Sequence, residues 1–207
     1  MKQIFELLEW HSEQNREQPL LITSDQTLSF GEVRDLAKKL AKHFREIGLK
    51  SGDLVGLDLP SSIGMIFSLA ALHEGVSTYV GAGGTQALGD ATKHVFSSNP
   101  ELTSDTFTVS FVDSVFFKAI ENYSTSIEVV GFKSPEDLCR LVFSSGTTGE
   151  PKPIALTVEM VEQRALAAGK LWHNRDSFLC VLNSSSASGF HTCLLYTSDA
   201  ADDSLRV

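Results

Sequence analysis

Seven residues between positions 144 and 152 carry the groups in this chain best suited to chemistry: Ser144, Ser145, Gly146, Thr147, Thr148, Gly149 and Lys152. Four hydroxyls surround two glycines, and a single ammonium follows three positions later. Glycine lets the backbone turn sharply and approach a ligand closely. Successive N–H groups in such a turn form an anion-binding concavity, hydroxyls add donors, and lysine supplies a compact point charge. This is the donor set for a polyphosphate. The order is not that of a Walker loop, G-x-x-x-x-G-K-[ST] opening a helix. Glu150 and Pro151 separate Gly149 from Lys152, and Pro153-Ile-Ala-Leu-Thr157 reads as a strand. With the apolar Leu141-Val-Phe143 in front, the spacing predicts strand, phosphate loop, strand. Ser145 is not a hydrolase nucleophile, since no G-x-S-x-G elbow surrounds it.

Phe143 to Lys152 resembles, position by position, the signature [YF]-[TS]-S-G-[ST]-T-G-x-P-K-G of the adenylate-forming (AMP-binding) enzymes. This superfamily holds acyl-CoA synthetases, luciferases and peptide-synthetase adenylation domains. Pro153 departs from it, standing where the family usually has glycine. Further stretches extend the resemblance over most of residues 20–183. Thr27-Leu-Ser-Phe-Gly-Glu-Val33 is a loose version of the family's T-Y-x-E-L. Gly48-Leu-Lys-Ser-Gly-Asp-Leu-Val55 copies its G-hydrophobe…G-D-x-V. Leu69-Ala-Ala-Leu-His-Glu-Gly75 fits the helix that ends in glycine.

The elements that must hold such a loop are legible upstream. Residues 1–19 predict a short amphipathic helix through Ile4, Leu7 and Leu8, then a polar loop. Leu20–Thr23 and Thr27–Ser29 predict short strands about a turn at Ser24–Gln26. Ser29 with Glu32 is a capping box. Val33, Leu36, Ala37, Leu40, Ala41, Phe44 and Ile47 make one helical stripe, with Gly48 as its stop. Leu54–Leu59 predicts a strand. Ile63–His73 predicts a helix apolar on every side, started by Pro60-Ser-Ser62, ended by Gly75 and therefore buried. Val76–Val80 predicts the next strand. Strand, helix and strand at this spacing form a βαβ unit, hence an α/β fold with a parallel-rich sheet covered by helices.

Gly81-Ala-Gly-Gly84 reads as a flexible turn, because Gln86 breaks a dinucleotide fingerprint. From 88 to 130 the pattern is weak. It suggests a helix over Leu88–Phe96, a loop at Asn99-Pro100 and a strand at Ile127–Val130. Val158–Trp172 predicts a helix, Asn174–Asp176 a turn, Phe178–Leu182 a strand, and a loop opens at Asn183. Gly189 matches a family glycine in this loop, and His191 reads either as a solvated loop histidine or as a pocket group. The other five histidines lack metal-ligand spacing.

Composition sets the outer bounds. The 207 residues are 42% hydrophobic and 21% charged, an ordinary globular balance. A formal charge of −9 with no Lys/Arg cluster argues against a nucleic-acid surface. No run of 18 apolar residues could span a membrane. Acidic residues interrupt the apolar N-terminal stretch, which therefore does not read as a signal peptide. Cys139 and Cys180 sit in apolar contexts, as buried free thiols of a cytoplasmic protein do.

Residues 193–207 break the pattern. Cys193-Leu-Leu-Tyr-Thr-Ser-Asp-Ala-Ala-Asp-Asp203 continues no periodicity and matches the translation of a short-read library adapter. The expectation is that 1–192 is an incomplete N-terminal AMP-binding domain and 193–207 a non-native tail, to be excluded from fold reasoning. Without Asp199, Asp202, Asp203 and Arg206 the chain has 23 acids and 16 bases, net −7, so its class does not change.

The resemblance implies an ATP-dependent carboxylic-acid ligase. A carboxylate and ATP give an acyl-adenylate and pyrophosphate with Mg²⁺ on the phosphates. Coenzyme A or the phosphopantetheine of a carrier protein then accepts the acyl group. It implies ATP phosphate binding by Ser144, Ser145, Gly146, Thr147, Thr148, Gly149 and Lys152. The family's adenine motif, Mg²⁺-binding acid, ribose aspartate and C-terminal catalytic lysine all fall beyond Thr192, so the 207-residue chain is expected to be inactive as a ligase. The alternative from a different class is a stand-alone, non-catalytic nucleotide-binding or interaction module.

Overall fold

A computed structural model describes residues 3–81, 88–144 and 152–172, together with positions 186, 189, 190 and 194. Helix α1 (Gln3–Gln14) leads to a hairpin of β1 (Pro19–Ile22) and β2 (Thr27–Ser29), which pair antiparallel. Helix α2 (Phe30–Glu46) follows directly. Its capping box is complete: Glu32 N–H donates to Ser29 Oγ at 3.2 Å, and Ser29 N–H to Glu32 Oε2 at 2.8 Å. The predicted stripe is the buried face, with Val33, Ala37, Leu40, Ala41 and Phe44 all inside. Gly48 ends the helix at φ +78°, so that Leu49 N–H reaches back to Phe44 O at 2.9 Å.

Strand β3 (Leu54–Asp58), helix α3 (Ser61–Glu74) and strand β4 (Ser77–Val80) form the predicted βαβ unit, with β3 and β4 parallel. Gly75 closes α3 in the left-handed region, φ +68°. A Cβ there would lie 2.1 Å from Gly131 O. Only glycine fits both demands.

Beyond residue 88 the structure corrects two expectations. The predicted helix over Leu88–Phe96 is a single 3₁₀ turn, Gly89–Ala91, followed by strand β5 (His94–Ser97). Thr92 N–H and Oγ1 both donate to Leu88 O, which closes one turn and ends it. The next four residues gain more by pairing in parallel with β3, where all four are buried. Tertiary pairing overrides a weak helical pattern. Ile127–Val130 is not a strand. Val130 and Gly131 donate their N–H groups to His73 O at the end of α3, so this segment caps a helix instead of joining a ladder. Strand β6 (Thr108–Phe111) and helix α4 (Ser114–Ile120), N-capped by Asp113, complete this half.

Strand β7 (Leu138–Ser144), strand β8 (Lys152–Thr157) and helix α5 (Val158–Trp172) finish the described elements. The main sheet runs β6-β5-β3-β4-β7-β8, parallel except for the antiparallel β7–β8 pair at one end. One side of it is closed by an aromatic cluster. Phe96 of β5 stacks on Phe44 of α2 at 5.1 Å and meets Phe67 of α3 at 5.0 Å, with Phe116 of α4 beside it.

A partly buried ion pair ties α2 to α3. Arg45 Nε and Nη2 donate to the two carboxylate oxygens of Glu74 at 2.7 and 2.8 Å, and His73 Nδ1 lies 2.6 Å from Oε1. Burial pushes the Glu74 carboxyl up. The hydrogen bonds and charges of His73 and Arg45 outweigh it, leaving the carboxyl below its ordinary 4.5. Burial also holds His11 and His43 below 6.5. It takes His94 to about 4, with the charge of His43 adding to the shift. All of these favour the fold at neutral pH. As pH falls from 6.5 towards 4 the unfolded chain takes up histidine protons first. Below 4.5 the stabilisation from ionised Glu74 is lost as well. Urea midpoints measured from pH 7.5 to 3.5 should therefore decline continuously. H94F should flatten the upper part of that decline and E74Q the lower part, with E74Q costing about 1–3 kcal/mol at pH 7.

Candidate functional site

The loop's two roots are fixed by pairing. Along the β7–β8 ladder Val142 faces Ile154, Phe143 faces Pro153 and Ser144 faces Lys152. Seven residues therefore connect two positions that are direct cross-strand partners. Ser145, Gly146, Thr147, Thr148 and Gly149 lie outside the described residues, so the structure brings together Ser144 and Lys152 from the predicted set. The predicted order of strand, loop and strand holds on both flanks. Pro153, the departure from the family signature, is accommodated because β8 is the terminal strand of the sheet among the described residues. Proline lacks a ladder donor and is tolerated on such an edge.

The base of this hairpin is locked from both sides. Ser77 Oγ of β4 donates to Leu138 O at 2.6 Å. Val158 N–H donates to Asp137 O and Glu159 N–H to Pro135 O, which fastens the start of α5 beneath the hairpin. Asp137 Oδ2 in turn accepts from the N–H groups of Lys133 and Ser134, both at 2.9 Å. The Cys139 thiol on β7 is fully buried, and burial pushes its pKa up to about 12 although the Arg140 charge works against this. It is a packing group, as its apolar context predicted. Cys180 and His191 lie outside the described residues, as do the predicted turn at Asn174–Asp176, the strand at Phe178–Leu182 and residues 82–84 of the glycine turn.

Ser144 lies at the carboxyl end of β7. Its neighbour β4 ends at Gly81, which has φ +100°. From β4 the chain returns across β3 to β5, whereas from β7 it proceeds outward to β8. Outgoing connections thus diverge between β4 and β7, the kind of switch point at which open α/β sheets bind ligands. The same edge is polar further along, where Ser97 Oγ donates to Asp58 Oδ2 at 2.6 Å.

Sequence reasoning passed over three residues beneath the loop. Tyr79, fully buried on β4, meets Phe143 edge-on at 6.4 Å, and its hydroxyl pairs with Thr92 Oγ1 at 3.0 Å. Gly56 on β3 leaves room for that hydroxyl, because a Cβ there would stand 2.6 Å from it. Arg140 is fully buried in the middle of β7. A charged residue inside the run Leu138-Cys-Arg-Leu-Val-Phe143 was the signal that could have flagged it.

Comparison with known proteins agrees with this geometry. A family model described as AMP-binding enzyme matches residues 8–199. The chain belongs to that family. Tyrocidine synthase 2 of Brevibacillus parabrevis is 26% identical over 181 residues, spanning 84% of this chain and 5% of that protein. The 4-coumarate–CoA ligase of Pinus taeda is 26% identical over 198 residues, spanning 80% of this chain and 36% of the ligase. Among solved structures, VinN with 3-methylaspartate superimposes with a TM-score of 0.81 at 19% identity, over 98% of this chain and 63% of that one. O-succinylbenzoate coenzyme A synthetase of Bacillus subtilis in complex with AMP gives 0.74 at 17%, over 94% and 53%. These structures share the α/β fold. The chain spans only part of each relative's length.

Gly56→Ala should displace the Tyr79 ring from under Phe143. Urea denaturation is expected to show a loss of about 1–3 kcal/mol, the range for overpacking a tight interior.

Proposed function

We propose that this chain is the phosphate-handling portion of an ATP-dependent carboxylic-acid ligase. The observation that carries the reading is the pairing of Ser144 with Lys152 at the carboxyl edge of the sheet, on either side of the family's phosphate-loop sequence. In the first reaction a carboxylate oxygen attacks the α-phosphorus of ATP, forming an acyl-adenylate and releasing pyrophosphate. In the second a thiol sulfur attacks the acyl carbon, forming a thioester and releasing AMP. The thiol is that of coenzyme A or of a carrier-bound phosphopantetheine. The similarity to a 4-coumarate–CoA ligase supports coenzyme A as acceptor, and the similarity to tyrocidine synthase 2 supports the carrier thiol.

Within this scheme Ser144, Ser145, Gly146, Thr147, Thr148 and Gly149 donate hydrogen bonds to the β- and γ-phosphates, and Lys152 neutralises charge that grows on the departing pyrophosphate. The loop positions and stabilises; it is not a nucleophile. Among the described residues no group of three metal-ligating side chains occurs. Mg²⁺ would arrive on the nucleotide's phosphates and would offset their charge beside the loop's donors. No described helix is long and apolar enough to cross a membrane, and the buried thiol of Cys139 suits a reducing cytosol.

The domain reading also belongs to this proposal: 1–192 as an incomplete AMP-binding domain, and 193–207 as adapter-derived. Long-read sequencing of the source DNA across codon 192 tests it. An open frame continuing through several hundred codons is the expected result, and a genomic copy of Cys193 to Val207 followed by a stop would refute it.

Isothermal titration with Mg·ATP tests the site. Lys152→Ala is expected to weaken binding by about tenfold, equivalent to about 1.4 kcal/mol. Lys152 is exposed, so the urea midpoint should stay within about 0.5 kcal/mol of the parent. ATP–pyrophosphate exchange by the 207-residue chain should be negligible. Unaltered Mg·ATP affinity in K152A would overturn the assignment of the loop.

A further inference from the structure

Arg140 is fully buried in an interior strand, between Thr78 of β4 and Leu156 of β8 in the sheet register. Its Nη1 donates to Ser68 Oγ of α3 at 3.1 Å and to Thr78 Oγ1 of β4 at 3.4 Å. Its guanidinium carbon lies 4.0 Å from the centre of the Phe190 ring, which is itself 1% exposed. Ser68 is held in turn, donating from Oγ to Gly64 O at 2.8 Å. One side chain thus joins α3, β4, β7 and a residue 50 positions later in the chain.

Burying a charge is costly, and an apolar residue of equal volume would fill the space without that penalty. What arginine adds is direction. Its edge donates hydrogen bonds in fixed directions, while its flat, weakly hydrated face stacks on an aromatic ring. Arg140 lies four residues before Ser144 on the same strand, about 13 Å along it. Phe190 is therefore referenced to the strand that carries the phosphate loop. Its own backbone is tied locally, since Phe190 N–H donates to Ser186 O and Gly189 N–H to Ser186 Oγ, both at 3.0 Å.

We propose that Arg140 is a positioning residue that clamps Phe190 against strand β7 and so fixes one boundary of the space beside the phosphate loop. The link to that space rests on the ligase reading above; the clamp itself does not. The hydrogen bonds to Ser68 and Thr78 aim the guanidinium, and the ring of Phe190 is what it holds. Loss of the charge frees Phe190 while the sheet stays formed.

Limited chymotrypsin digestion of the full 207-residue chain, with fragments mapped by mass, tests the clamp. R140M keeps the length of the side chain without its charge. It should raise cleavage after Phe190 by about tenfold, within the range of a desolvated cation–π contact, without raising cleavage elsewhere. R140K restores a cation and should bring the rate back to within about threefold of the parent. Unchanged cleavage after Phe190 in R140M, or an equal rise at every site, overturns the proposal, the latter marking Arg140 as a core residue only. Should R140M fail to fold, a double-mutant cycle of R140Q, which keeps hydrogen-bond donors without the charge, with F190L on urea stability decides. A smaller effect of R140Q in the F190L background supports the clamp, and additive effects refute it. Mg·ATP titration of the same proteins separates the two readings. Weaker binding wherever Phe190 is released supports both. A parent chain that ignores Mg·ATP, with its Phe190 still released by R140M, keeps the clamp and removes the ligase reading.

Discussion

Strand β7 is the member on which the arrangement depends, because it is bound by two different kinds of ladder. On one side it runs parallel to β4, with Thr78 opposite Arg140 and Tyr79 opposite Leu141. On the other it runs antiparallel to β8 through six partner pairs. A parallel partner has to be reached by a long crossover, while an antiparallel one can be joined by a short loop. Switching from one to the other at β7 places a short, sequence-rich connection directly at the carboxyl edge of a parallel sheet. Both ends of that connection are fixed by backbone hydrogen bonds. In the ligase reading proposed above, fixed roots of this kind are what a loop that stabilises a leaving group requires.

The strands behind β7 hold that edge in place by being inaccessible. Residues 54–57 of β3 and all four residues of β5 are buried, as expected where helices cover a parallel sheet. Such an interior tolerates little change of volume. Gly56 is small because the Tyr79 hydroxyl occupies the place of a Cβ, and Tyr79 in turn supports Phe143 at the root of the loop. A residue on β3 therefore bears on a loop two strands away through two side chains in contact. Gly75 has a comparable role at the end of α3, where the Gly131 carbonyl closes over it.

What was legible in the sequence follows from how the signals arise. From Ser29 to Val80 each element carries its own local mark. The capping box, the stripe and the stop at Gly48 are set by nearest neighbours along the chain, and all are present in the structure, except that Ile47 of the stripe lies past the helix end and is exposed. The phosphate loop could be placed between two strands because its flanks change periodicity. Residues 88–130 were harder. The β5 run His94-Val-Phe-Ser97 mixes polar and apolar residues that are all buried, so no alternation betrays it. His94 is satisfied by Ser110 of β6 at 2.9 Å, a partner no local pattern announces. Asp113 did offer a readable N-cap, accepting from Phe116 N–H at 2.9 Å. Arg140 was visible as an oddity in an apolar run, but its meaning depends on Ser68, Thr78 and Phe190, which only the fold brings together.

Charge sets a last condition on the site. The chain carries a formal −9, and the ligand inferred for the loop is itself polyanionic. The field of the whole molecule therefore opposes approach, and over distances beyond about 8–10 Å in physiological salt that repulsion is largely screened. Capture then depends on groups within contact range. In the ligase reading proposed above, backbone N–H groups and hydroxyls bring partial charges without adding to the net balance, and Lys152 at the start of β8 supplies the one full charge. A nucleotide arriving with Mg²⁺ carries less negative charge than one without it. Under the ligase reading, a loop with one cation among seven groups on an acidic protein favours metal-bound ATP over the free tetra-anion.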